Sequence, residues 1–169
     1  TELLADIEAR LFAETPVAVR RGTKGWRSPP WCCALVFDGS QASCLPPEIA
    51  LTTVAERDAY LRKKTAEPKH IWNCVAFEGV GAGWYSDRKL LTACDEANEL
   101  IEEKDGAPPA SKLLVRLAKR LNALPSKSFG TVAGEFVIYA FDRNEPATKL
   151  LAPSLTAGKR AVLKRLHLL

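Results

Sequence analysis

The chain has 169 residues, 47% of them apolar and 26% charged, with a formal net charge of +4. That length suits one domain over residues 1–169, and the composition excludes a disordered or low-complexity chain. No apolar run approaches the roughly 18 residues of a membrane helix, and Thr1 to Asp6 lack the basic start of a signal peptide, so the expected location is the cytoplasm.

In chain order, Leu3, Leu4, Ile7, Leu11 and Phe12 recur at helical spacing, so residues 2–14 are expected to form a helix that Pro16 ends. Val17 to Arg27 reads as extended, and Ser28-Pro29-Pro30 as a turn. Trp31 to Phe37 predicts a strand, closed by Asp38-Gly39 and returning through Ala42 to Leu45 as its hairpin partner. A short extended piece follows Pro46-Pro47, and a helix starts near Thr53. His70 to Glu78 is apolar, a strand or an irregular packed segment, and Gly79, Gly81 and Gly83 form a flexible bend.

Ser86 is a fitting N-cap for a long helix with Leu90, Cys94, Ala97 and Ile101 on one face and acids on another. Asp105 to Pro109 breaks the chain, and Ser111 caps the next helix. There Leu113, Leu114, Leu117 and Leu121 oppose Lys112, Arg116, Lys119 and Arg120. Glu135 to Phe141 is the clearest strand, and Thr156 caps a C-terminal helix carrying Arg160 and Lys164. This order is not a regular β-α alternation. It predicts an α+β fold with a small, mostly antiparallel sheet packed by several helices.

The chemistry-bearing patterns are weak. Five cysteines (Cys32, Cys33, Cys44, Cys74, Cys94) include no Cys-x-x-Cys pair and sit among apolar neighbours, so buried thiols are expected rather than disulfides or zinc. The run Gly79-Val80-Gly81-Ala82-Gly83-Trp84 places Trp84 where a dinucleotide fingerprint needs glycine. His70 and Cys74 would share a helix face, yet their neighbours read as core and no third group is evident. Neither a catalytic set nor a cofactor or metal is therefore expected.

Charge is segmental instead. Residues 1–14 and Asp95 to Glu103 are acidic, whereas Arg20 to Arg27, Lys112 to Lys127 and Lys159 to Arg165 carry only cations. Opposed charged faces steer a charged partner. Trp26, Arg27 and Trp31 have the composition of an interface anchor, and Arg116, Lys119, Arg120, Arg160 and Lys164 form candidate basic faces. A protein partner is the first expectation. The second is nucleic acid bound through the two basic helices, although neither helix carries an aromatic residue. An enzyme whose site is assembled from distant residues is a third alternative.

The segments Ala34 to Gly39, Trp72-Asn73 with Phe77-Glu78, Asp95 to Leu100, and Tyr139 to Asp142 resemble the bacterial domain-of-unknown-function family numbered 4303. The chain has Trp72-Asn73-Cys74 where that family usually shows Trp-Asn-Pro or Trp-Ser-Pro, and Leu151-Ala152-Pro153 where it shows Leu-Asn-Pro. The resemblance implies a small cytosolic bacterial protein with an immunity- or antitoxin-type role, and no established catalytic residues.

Overall fold

The computed structural model describes residues 2–41, 44–74, 79–102 and 108–169. Four strands, β1 (Pro30–Phe37), β2 (Glu48–Thr53), β3 (Val80–Gly83) and β4 (Val137–Asp142), form one sheet in the order β3-β2-β1-β4. β1 pairs antiparallel with β2, β2 antiparallel with β3, and β1 parallel with β4. The α+β class holds, with a mixed sheet in which two of the three pairings are antiparallel.

β1 is buried along its whole length because helices cover both sheet faces. That is why Trp31 to Phe37 reads as a continuous apolar run rather than an alternation. Cys33, Leu35, Ile49, Leu51, Ile138 and Ala140 point to one face. There they meet three helices: α1 (Glu2–Gly22), α3 (Arg88–Glu102) and α4 (Pro108–Leu121). Cys32, Ala34, Val36, Val137, Tyr139 and Phe141 point to the opposite face. They pack against the 3-10 turn Pro68–Trp72, the one-turn helix α5 (Leu151–Ser154) and α6 (Ala157–Arg165). α2 (Val54–Leu61) starts directly after β2, where Thr53 and Glu56 form a reciprocal capping box.

Several expectations are corrected. α1 does not stop at Pro16 but runs to Gly22, so Val17 to Gly22 is helical rather than extended. Pro16, Ala18 and Val19 are buried, and this packing offsets the helix bond that proline cannot donate. The antiparallel partner of β1 is β2, the short extended piece after Pro47. Of the expected partner segment, residues 42 and 43 lie outside the described residues, while Cys44 and Leu45 are buried without strand pairing.

The glycine run is the edge strand β3, not a flexible bend. Gly79 must lack a side chain there, because a Cβ would come within 1.7 Å of the Leu51 carbonyl oxygen. In His70 to Glu78, the first part is the 3-10 turn, and residues 75–78 lie outside the described set. α3 begins two residues later than expected, with Asp87 accepting the Lys89 N–H at 2.9 Å. α4 begins at Pro108, ahead of Ser111, and residues 103–107 of the expected break are outside the described set. Thr156 caps α6 as expected, accepting the Lys159 N–H.

Candidate functional site

On the helical face α1 lies between α3 and α4, touching both. The second half of α3 presents Asp95, Glu96 and Glu99 to solvent. α4 presents Lys112, Arg116, Lys119 and Arg120. These four occupy positions i, i+4, i+7 and i+8 and so form one stripe. With neighbouring helix axes about 8–10 Å apart, the acidic and basic stripes stand roughly 20 Å from each other across α1.

The basic stripe is anchored by Glu8 of α1, which is 8% exposed. Its carboxylate accepts from Arg116 Nη2 at 2.8 Å and from Arg120 Nη1 at 2.9 Å. The Arg120 guanidinium also lies over the Phe12 ring at 4.6 Å. Burial alone would raise the Glu8 pKa, but the two guanidiniums hold it below the ordinary 4.5. Both arginines remain half exposed, so the arrangement contributes modestly to stability while fixing where their charge sits.

A depressed folded pKa means stability that is present at neutral pH and lost as the carboxylate protonates. Glu8→Gln is therefore expected to cost about 1–2 kcal/mol at pH 7. In urea melts taken down the pH scale, the gap to the parent protein should close below about pH 4.5.

The basic stripe continues past α4. The 3-10 turn Ser126–Phe129 packs against the C-terminal end of α1, where Arg20 donates to the Ser128 carbonyl. Trp26 and Arg27 lie just beyond that helix end. Trp26 is half-buried against the same core as α1, α3 and α4, and Arg27 is exposed. Arg116 and Arg120 thus meet α1 at Glu8, and Trp26 and Arg27 follow the C-terminal end of the same helix.

Trp31 is a correction. It is 0% exposed, packed on Trp72 with ring centroids 4.7 Å apart, and cannot reach a partner. Arg160 and Lys164 are exposed on α6, across the sheet from α4. The two basic helices therefore do not share a face, which removes the combined phosphate-binding surface expected from their sequences.

One exposed aromatic was missed. Trp84 is 54% exposed at the end of β3, with the Arg21 guanidinium 5.2 Å from its ring. Arg21 also donates to the Trp84 carbonyl at 3.1 Å and to Ser86 Oγ at 3.0 Å, which holds the pair in place. The signal available was a large aromatic set directly after a glycine-rich strand too narrow to bury it.

A cleft of about 690 Å³ opens at the C-terminal end of β4 beside Lys69, His70, Asn73 and Arg143. Its charges are mutually satisfied. Lys69 pairs with Glu67 at 2.9 Å, and Arg143 pairs with Glu48. Hydrogen bonding and charge between Lys69 and Glu67 raise the lysine pKa and lower that of the carboxyl, the opposite of tuning toward neutral pH. His70 is exposed, whereas Cys74 is buried and its thiol is pushed up to about 11 by that burial, so the two do not assemble a nucleophile. All five cysteines are buried and free. Among the described residues, no group of three or more His, Cys, Asp or Glu is placed to hold a metal ion.

The class defined by this geometry is an α+β domain with a mixed four-stranded sheet and a charge-divided helical face. Comparison with protein-family models, with curated proteins and with solved structures finds no match to the chain. Among the described residues, no helix is long and apolar enough to cross a membrane.

Proposed function

We propose that this chain is a non-enzymatic protein-binding domain that meets its partner through the α3-α1-α4 face. The observation that carries the reading is the pair of opposed charged stripes on that one helical layer. A nucleic-acid backbone is uniformly negative and offers no complement to Asp95, Glu96 and Glu99, which share the helical layer with the basic stripe. A protein surface can match both signs, and such complementarity raises the association rate and rejects wrong partners. The exposed Trp84-Arg21 pair supports the same reading, since tryptophan and arginine are enriched among residues that dominate binding energy.

In its narrower form the proposal is an immunity- or antitoxin-type inhibitor, the role that the resemblance to family 4303 implies. Such a protein acts by covering an enzyme, which requires a rigid charged face rather than chemistry of its own. Five buried free thiols suit a reducing, cytoplasmic setting, which belongs to the same proposal.

The test is capture of the partner from nuclease-treated source extract, followed by affinity measurement against charge-reversed variants. Lys112→Glu and Lys119→Glu change exposed side chains that form no ion pair among the described residues. Together they are expected to weaken a stoichiometric protein complex about tenfold or more, chiefly by slowing association. Recovery of nucleic acid alone, and only when nuclease is omitted, would reject the proposal.

A further inference from the structure

At the C-terminal end of α1 a pocket of about 370 Å³ opens between the last helical turn and the Trp26 to Pro30 segment. Arg20, Lys24 and Arg27 line it, and no carboxylate does. Lys24 and Arg27 are exposed and make no ion pair among the described residues. Trp26 and Pro29 supply apolar wall, and the pocket continues the basic stripe of α4 through the turn that Arg20 holds.

We infer that this pocket seats an acidic segment of the partner protein, its Asp or Glu side chains entering between Lys24 and Arg27. The inference rests on the protein-binding reading and names the chemistry that the partner must carry. Three cations without a counter-charge select an anion. The surroundings select a carboxylate on a peptide over a free phosphate. Phosphate sites are commonly built from helix N-termini or nests of backbone N–H groups. This pocket lies instead at the C-terminal end of α1, where the helix offers no free N–H groups, and the Val19 and Arg21 carbonyls there already accept backbone hydrogen bonds. The Thr23 N–H and Oγ1 reach the Val19 carbonyl at 3.0 and 2.9 Å, and the Trp26 N–H reaches the Thr23 carbonyl at 3.1 Å. The donors left to a ligand are flexible cationic side chains at the rim, next to apolar surface that a peptide can cover.

The experiment is a titration of the full isotope-labelled chain, following the Gly25 amide and the Trp26 indole N–H by NMR. The probe is a capped glutamate-rich peptide, with its glutamine counterpart and inorganic pyrophosphate as comparisons. Saturable shifts at both signals with the glutamate peptide are expected, weakening as salt rises. Lys24→Glu and Arg27→Glu should each reduce affinity about fivefold, and Lys164→Glu on the opposite face should leave it unchanged. No saturable shift, equal binding of the glutamine peptide, or tighter binding of pyrophosphate than of the glutamate peptide would overturn the inference. A captured partner that responds to Lys112→Glu and Lys119→Glu while this titration stays flat would remove the pocket and leave the broader reading standing. Peptide binding here with no protein partner captured would do the reverse.

Discussion

Replacing Asn122 by leucine is expected to cost about 3–5 kcal/mol, read as a shift in the urea midpoint at unchanged slope. β4 is an edge strand whose Ile138 N–H and C=O point away from β1. Asn122, only 7% exposed, supplies both missing partners: its Oδ1 accepts the Ile138 N–H at 2.9 Å, and its Nδ2 donates to the Ile138 carbonyl at 2.6 Å. The same amide donates to the Ser154 carbonyl at 2.9 Å. Ser154 extends the arrangement by accepting the Ala140 N–H at 3.1 Å. Leucine would fill the volume but leave three buried backbone groups without partners, at about 1–3 kcal/mol each before relaxation. The arrangement also has a functional side. Because these two side chains occupy the edge of β4, a partner strand cannot be added there, which directs docking to the helical face.

Gly79→Ala is expected to be as damaging, at about 3 kcal/mol or more. The new Cβ would stand 1.7 Å from the Leu51 carbonyl oxygen and 2.7 Å from its carbon, so two backbones rather than a flexible side chain would have to move. The Leu51 N–H bond to the Gly79 carbonyl, 2.9 Å long, would be lost with them. Thermal melting would show the loss, and hydrogen exchange would locate it at Leu51. Gly134→Ala is the matched control, because nothing lies within 4 Å of a Cβ there. Its midpoint should scarcely change.

These positions show what was legible in the chain and what was not. The β1 and β4 strands, the amphipathic stripe of α4 and the Thr156 cap follow from local pattern. Periodicity and capping act within a few residues, and here nothing opposes them. Pro16 misled because the burial of Ala18 and Val19 is a tertiary effect that outweighs a local one. Gly79 to Gly83 misled because close approach of two backbones and simple flexibility leave the same glycine-rich trace.

The candidate site divides in the same way. The stripe of Arg116, Lys119 and Arg120 is readable from helical spacing alone. Its junction with Trp26 and Arg27 depends on Arg20 meeting the turn after α4, a contact 108 residues apart in sequence. Trp31 looked like a surface anchor beside Pro29 and Pro30. It is core because β1 is covered on both faces, and its neighbours gave no sign on which side of the turn burial begins. Arg160 and Lys164 looked equivalent to the α4 cations until the sheet came between them.

The measurement that bears most directly on the charge-divided face is binding by the double variant Glu96→Lys and Glu99→Lys, which turns the acidic stripe of α3 basic. Both side chains are exposed, so the fold should be retained, as circular dichroism would confirm. If a protein partner reads both stripes, this variant should bind it about tenfold or more weakly, while the parent chain shows negligible affinity for nucleic acid at physiological salt. Unchanged partner binding, together with tight, salt-sensitive binding of nucleic acid by the parent chain, would contradict the account.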